Sequence, residues 1–209
     1  MNQKTLSQSL PKEVKVSFEF FPPTSEKSVS SLWKCIKRLQ PVRPSFVSVT
    51  YGASGTTRER THETVVRIAK ETNMKSAAHL TCIGSNKHEI TAIAERYWQA
   101  GIQHIVALRG DTPDGKDSYV PHPGGYTYAS DLVEDLKKIA DFEISVAAYP
   151  ECHPESKNQN EDLDNLQRKI DAGATRAITQ YFFDPVVYLR FLEQVRARGI
   201  HIPIIPGIL

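Results

Sequence analysis

The chain has 209 residues, with 26 Lys and Arg against 24 Asp and Glu, seven His and a formal net charge of +2. That near balance, with no block of like charge, gives no electrostatic footprint for nucleic acid, and 40% apolar residues argue against disorder. No stretch approaches the roughly 18 apolar residues of a membrane helix, and three scattered cysteines (Cys35, Cys82, Cys152) make neither a disulfide framework nor a metal knuckle.

The first residues, 1–13, read as a polar leader without the apolar core of a secretory signal. A reducing, cytoplasmic setting is expected. Seven short apolar runs follow, bounded by Gly, Pro, Asp or Asn: Val16–Phe21, Phe46–Tyr51, Ala77–Ile83, His104–Leu108, Ile144–Tyr149, Ala177–Phe183 and Ile202–Ile208. Their nearly continuous apolar character predicts strands buried on both faces. Helical periodicity falls between them. Val29–Leu39 carries Leu32, Trp33, Ile36 and Leu39 three or four apart, and His88–Ala100, Ser130–Ala140, Glu161–Ala172 and Val186–Arg198 repeat the pattern. Ser130 or Asp131 is a candidate cap, and Gly101, Gly173 and Gly199 are candidate helix stops. The loop Asp111–Tyr126, rich in Gly and Pro, reads as a functional loop.

Strand and helix alternating every 30 residues or so predict an α/β chain with a parallel sheet. No Gly-x-Gly-x-x-Gly follows the first run, which disfavours a dinucleotide-binding doubly wound sheet. Polar residues instead gather at the C-terminal ends of the runs: Glu19, Thr50-Tyr51, His79, Arg109-Gly110-Asp111, Glu151 and Gln180. A (β/α)8 TIM barrel builds its active site there. Only about seven of its eight strands can be counted, so 1–209 reads as a single barrel domain lacking its C-terminal part.

Each candidate has two readings. Glu19, flanked by Phe18, Phe20 and Phe21, is expected to have a raised pKa suited to a general acid, or else to sit in a buried salt bridge. Arg109 could pair with a phosphate, Gly110 could let a ligand approach the backbone, and Asp111 could bind an N–H-rich heterocycle. The same tripeptide could be a turn with an exposed ion pair. Thr50, Tyr51 and Ala53 suit either a ligand or loop packing. His79 suits a ligand or a satisfied core position, and Gln180 is expected to be a buried amide in need of partners. Arg168-Lys169 would ordinarily be a solvated face. Metal binding is not expected, because His153-Pro-Glu155 and His122 lack partners at ligand spacing.

Six segments in order carry a resemblance: Val-Ser-Phe-Glu-Phe-Phe-Pro-Pro, Phe-Val-Ser-Val-Thr-Tyr-Gly, His-Leu-Thr-Cys, His-Ile-Val-Ala-Leu-Arg-Gly-Asp, Val-Ala-Ala-Tyr-Pro-Glu and Ile-Thr-Gln-Tyr-Phe-Phe-Asp. Together they closely resemble bacterial-type 5,10-methylenetetrahydrofolate reductases, from about Val16 to Leu209. The resemblance implies a flavin-binding barrel that takes hydride from NADH or NADPH onto FAD and passes it to methylenetetrahydrofolate in a ping-pong sequence. It implies catalytic roles for Glu19 (acid), Asp111 (pterin contact and flavin tuning) and Gln180 (folate and nicotinamide contact), with Thr50 also at the substrate.

It further implies FAD contacts from Thr50, Tyr51, Ala53, His79, Arg109, Gly110, Asp111, Tyr128, Ala129, Tyr149 and His153. Ser156 stands where the family often has Ala. Asp162, Asn165, Arg168 and Lys169 would form the helix face for the adenosine diphosphate part. A homo-oligomer is expected, with folate as substrate and neither nucleic acid nor membrane as partner. The loop Asp111–Tyr128 is longer than the resemblance expects, and the family continues beyond Ile-Ile-Pro-Gly-Ile-Leu. A shortened, non-catalytic chain retaining at most flavin binding is therefore the alternative. A different flavin barrel, such as proline dehydrogenase, is opposed by Phe-Glu-Phe-Phe-Pro-Pro.

Overall fold

A computed structural model describes residues 14–51, 58–111 and 119–209. The polar leader 1–13, Ala53 and part of the long loop lie outside the described residues.

Seven parallel strands pair in chain order in one sheet. They are β1 (Phe18–Phe20), β2 (Val47–Val49), β3 (Ser76–Thr81), β4 (His104–Leu108), β5 (Glu143–Ala148), β6 (Arg176–Thr179) and β7 (Ile204–Ile205). The connecting helices are α1 (Glu26–Leu39), α2 (Arg58–Glu71), α3 (Lys87–Gln99), α4 (Ala129–Ile139), α5 (Gln159–Asp171) and α6 (Pro185–Ala197). Sequential parallel order with intervening helices is the barrel arrangement. The sheet curls far enough that Phe46, Ala77, Val106, Leu108, Ile178 and Ile205, from both halves, share one apolar cluster on its concave side. The described residues therefore form seven strands of a (β/α)8-type barrel.

Alternation along each strand sorts the core into two layers. Val47, Val49, Ala78, Leu80, Ile105, Ala107, Ile144 and Val146 face the helices, where they pack on fully buried Ile36, Ile68, Leu132 and Leu136. Each such Leu or Ile contributes about 1.5–3 kcal/mol relative to exposure. The concave side is more polar: His104 Nε2 lies 2.8 Å from Ser145 Oγ and 3.3 Å from an Arg176 terminal nitrogen, and Arg176 also pairs with Glu143. These residues begin β4, β5 and β6, so the cluster forms the barrel floor, opposite the C-terminal rim.

Local chemistry explains the helix ends. Ser25 Oγ accepts from Ser28 N at 3.2 Å and Ser28 Oγ accepts from Ser25 N at 2.8 Å, a reciprocal cap that starts α1. Asn86 with Glu89 does the same for α3. Ser130 and Asp131 are not the cap of α4. Tyr128 is, and Asp131 sits three residues on, its carboxylate accepting from Tyr128 N at 3.1 Å. The expected stops at Gly101, Gly173 and Gly199 hold, each with positive φ. Two expectations need correction. The apolar runs overstate the last strands, because Gln180–Phe183 and Pro206–Ile208 lie past β6 and β7. Helix α2 was not legible, because its buried stripe is Thr61, Thr64, Val65 and Ile68, and two threonines dilute the apolar period.

Candidate active site

The C-terminal rim divides into two neighbourhoods. On the β1–β3 side, Glu19 lies between Phe18 and Phe20, whose rings turn to the helix layer. Its carboxylate consequently faces the concave side, where Glu19 Oε2 stands 3.4 Å from Nε2 of buried His79. The Glu19 side chain is 53% exposed. The His79 ring beside it, as donor and as nearby charge, holds the carboxyl below its ordinary value against opposing desolvation. This corrects the expectation of a raised pKa and of a buried salt bridge. Sequence neighbours on a strand point to opposite faces, so the phenylalanines do not surround the carboxylate. His79 Nε2 is buried without an aligned hydrogen-bond partner among the described residues. Nearby, Thr50 N donates to Phe20 O at 2.9 Å and Thr50 O accepts from Thr61 Oγ1 at 2.9 Å, which ties the end of β2 to β1 and α2. Tyr51 is half-buried, and burial pushes its phenol up to about 12.

On the β4–β6 side the groups are cationic and aromatic. Arg109 follows β4 and makes a two-pronged pair with Glu155, both N–O distances 2.5 Å, while its guanidinium lies 4.8 Å from the Tyr119 ring centre. The sequence offered this tripeptide a phosphate partner or a turn with an exposed ion pair; Arg109, with its side chain 22% exposed, is ion-paired with the distant Glu155. Gly110 has φ +90, and a Cβ there would stand 2.8 Å from Ile83 Cγ2. Conformation and packing on the end of β3 thus require the glycine, with no need of a ligand's approach. Asp111 is exposed.

Tyr149 stacks edge-on with His153 at 4.6 Å, and burial pushes its phenol up to about 12. His153 Nδ1 accepts from Glu155 N at 3.1 Å, leaving its proton on Nε2. Burial, then Arg109, lowers the His153 pKa. Ser156 N donates to His153 O at 2.9 Å, closing the turn that leads to α5.

Helix α5 supplies the remainder. Asp162 is buried, and desolvation raises its pKa against the pull of Lys169. Lys169 Nζ donates to Ala147 O at 2.7 Å, and burial lowers its pKa to about 8. Arg168 pairs with Asn165 and lies 5.5 Å from the Tyr128 ring centre, with Ala129 half-buried next in the chain. Gln180 is exposed just past β6, its N–H donating to Ala148 O at 2.8 Å. The expected buried amide is therefore corrected: at the rim its side chain faces solvent and needs no protein partner. The structure joins Glu19 with His79, and Arg109 with the Tyr149, His153, Asp162 and Lys169 neighbourhood. It shows no direct contact from Asp111 or the Gln180 amide to either group among the described residues.

Sequence reasoning missed Glu155 and Tyr119. Glu155 was weighed only as a metal ligand, and its real partner is 46 residues away. Tyr119 sits in the long loop, where only its ring, placed under Arg109 by the Tyr119 hydroxyl donating to Tyr126 O at 2.8 Å, reveals a role. Two clefts of about 380 and 280 Å³ lie between α2 and α3 and between α1 and α2, and neither is lined by a candidate site residue.

A parallel barrel sheet with a carboxylate–imidazole pair and a cationic shelf on its C-terminal rim defines a barrel enzyme. The chain belongs to the methylenetetrahydrofolate reductase family, whose model, described as Methylenetetrahydrofolate reductase, matches residues 4–209. It is 51% identical to the 5,10-methylenetetrahydrofolate reductase of Salmonella typhimurium over 99% of this chain and 69% of that protein. It is 53% identical to the Escherichia coli 5,10-methylenetetrahydrofolate reductase over 98% of this chain and 68% of that one. It is thus an enzyme of this family, whose reaction is the reduction of methylenetetrahydrofolate. A phosphoenolpyruvate phosphomutase from Streptomyces platensis subsp. rosaceus superposes with a TM-score of 0.62 at 13% identity, covering 87% of this chain and 65% of that one, which speaks to the fold alone.

Proposed function

We propose that the protein reduces 5,10-methylenetetrahydrofolate to 5-methyltetrahydrofolate with NADH or NADPH as donor, through FAD held on the C-terminal rim, in two separate half-reactions. One observation carries the reading: the same rim presents a Glu19–His79 pair on one side and a shelf of Arg109, Arg168 and Lys169 on the other.

The donor set fits the cofactor. A dinucleotide brings two phosphates and flat rings. Burial depresses the Lys169 pKa against the pull of Asp162, and the charge of a diphosphate would favour the protonated amine. Tyr128 and Tyr149 offer aromatic faces next to Arg168 and His153. The buried Nε2 of His79 has Glu19 Oε2 at 3.4 Å but no aligned hydrogen bond among the described residues, which leaves it able to bond a ligand. Thr50, Tyr51, His79, Arg109–Asp111, Tyr128, Ala129, Tyr149, His153, Ser156, Asp162, Asn165, Arg168 and Lys169 would hold it. When bound, the flavin supplies hydride transfer.

The chain's own residues handle the proton. The imidazolidine ring of the substrate opens to an iminium before it can accept hydride, and opening requires a proton on the departing amine nitrogen. Glu19 is the acid for that proton. In the open rim His79 keeps Glu19 ionised. A ligand covering the exposed half of the carboxylate removes water from it, which acts in the opposite sense and favours the protonated form. Asp111 and Gln180 bind the pterin edge, and their solvent-facing positions leave both free to do so.

The test is spectroscopic. The apoprotein mixed with FAD should turn yellow, bleach under NADH or NADPH without oxygen, and regain colour on addition of methylenetetrahydrofolate. Bound flavin that keeps its colour under both donors would refute the proposal.

A further inference from the structure

We propose that Glu155 is a positioning residue for Arg109, fixing its guanidinium as a preorganised receptor for the diphosphate of the cofactor. The inference rests on the FAD reading above and adds a residue to it.

At first sight a carboxylate is misplaced on a shelf meant for an anion. The geometry resolves this. A guanidinium has five N–H donors. Glu155 takes one hydrogen from each terminal nitrogen, at 2.5 Å, in the end-on fork. Three N–H donors, including Nε–H, have no partner among the described residues. The Tyr119 ring covers one face at 4.8 Å, and the Tyr119 hydroxyl is anchored on Tyr126 O at 2.8 Å. Glu155 is itself fixed, its backbone N–H donating to His153 Nδ1 at 3.1 Å. Arg109 is thus held at one end and on one face, by two different loops, with donors to spare.

Two effects of the carboxylate compete. It partly cancels the positive charge that draws a phosphate, and it removes the rotamer freedom that a long side chain otherwise loses on binding. The Glu155 side chain is 46% exposed, so its repulsion of an incoming phosphate is screened. The ordering acts in full, because the Arg109 side chain is only 22% exposed and makes the paired contacts. Ordering therefore outweighs repulsion.

The test compares FAD, which carries the diphosphate, with riboflavin, which does not, by flavin fluorescence titration of the apoprotein. Glu155→Gln should weaken FAD binding about tenfold and leave riboflavin unchanged. Tyr119→Leu should give the same selective loss. In an Arg109→Ala background Glu155→Gln should have no further effect. Unchanged or tighter FAD binding by Glu155→Gln would overturn the inference, since Glu155 would then be a bystander or a competitor. Equal loss of FAD and riboflavin would overturn it as well, as general damage to the site. Failure of the unaltered chain to bind FAD would sink the flavin reading and this inference together.

Discussion

His79 Nε2 approaches Glu19 Oε2 to 3.4 Å, joining β1 to β3 across the intervening strand β2. The contact lowers the pKa of the carboxylate proposed as the acid. Because the folded pKa of Glu19 lies below 4.5, any stability the contact gives is present above that value and lost as pH falls. Half exposure of the carboxylate keeps the contribution small and salt-sensitive. His79→Asn should move the Glu19 midpoint upward, read by carbon-13 NMR of its carboxyl group. An unmoved midpoint would assign the shift to another source.

Lys169 gives the anion shelf a pH dependence. Its pKa of about 8 means that the charged form prevails below that pH and fades above it. A bound phosphate favours the charged form, so FAD or ADP binding near pH 8 should take up protons and weaken toward pH 9. Calorimetry in buffers of different ionisation enthalpy measures the uptake. Lys169→Met should abolish it, and uptake persisting in that variant would point to another group. The unfolded chain keeps this proton up to 10.5, so the same shift makes folding more favourable as pH rises from about 8.

The barrel floor behaves differently. Burial lowers the His104 pKa from 6.5, and adjacent Arg176 acts the same way against opposing Glu143. His79 and Lys75 add smaller lowering effects. As pH drops below 6.5 the unfolded chain protonates first, so stability falls, by at most about 1.4 kcal/mol per pH unit. His104→Asn should flatten the denaturation midpoint between about pH 7 and 5 relative to the unaltered chain. An equally steep profile in both proteins would place the acid sensitivity elsewhere.

Two substitutions probe packing with opposite signs. The Tyr97 hydroxyl is fully buried without a partner among the described residues, so Tyr97→Phe should stabilise by about 1 kcal/mol. Gly110→Ala places a Cβ against Ile83 at positive φ and should cost about 1–3 kcal/mol. Urea denaturation reads both, and destabilisation by Tyr97→Phe would reveal a hydrogen bond to that hydroxyl.

The sheet was legible from sequence because the strands of a parallel barrel carry nearly continuous apolar runs, as Ile105–Ala107 illustrates. Helix α2 was not, because threonines form half its buried stripe. The rim was legible as a place, since Glu19, His79, Arg109 and Gln180 all end up at or beside strand ends. Their environments were not. Glu19 was assigned the surroundings of its chain neighbours, although a strand sends those to the other face, and Gln180 inherited the burial of an apolar run that continues past the strand. Pairings such as Arg109 with Glu155 depend on two loops meeting, which local pattern does not encode.

Measuring the two half-reactions separately in Glu19→Gln tests the assignment of the acid most directly. Flavin bleaching by NADH or NADPH needs no proton from Glu19 and should proceed within a few-fold of the unaltered rate. Reoxidation by methylenetetrahydrofolate should fall by about 10²–10⁴, the usual worth of a general acid. Equal losses in both half-reactions, or full retention of the second, would contradict the role given to Glu19.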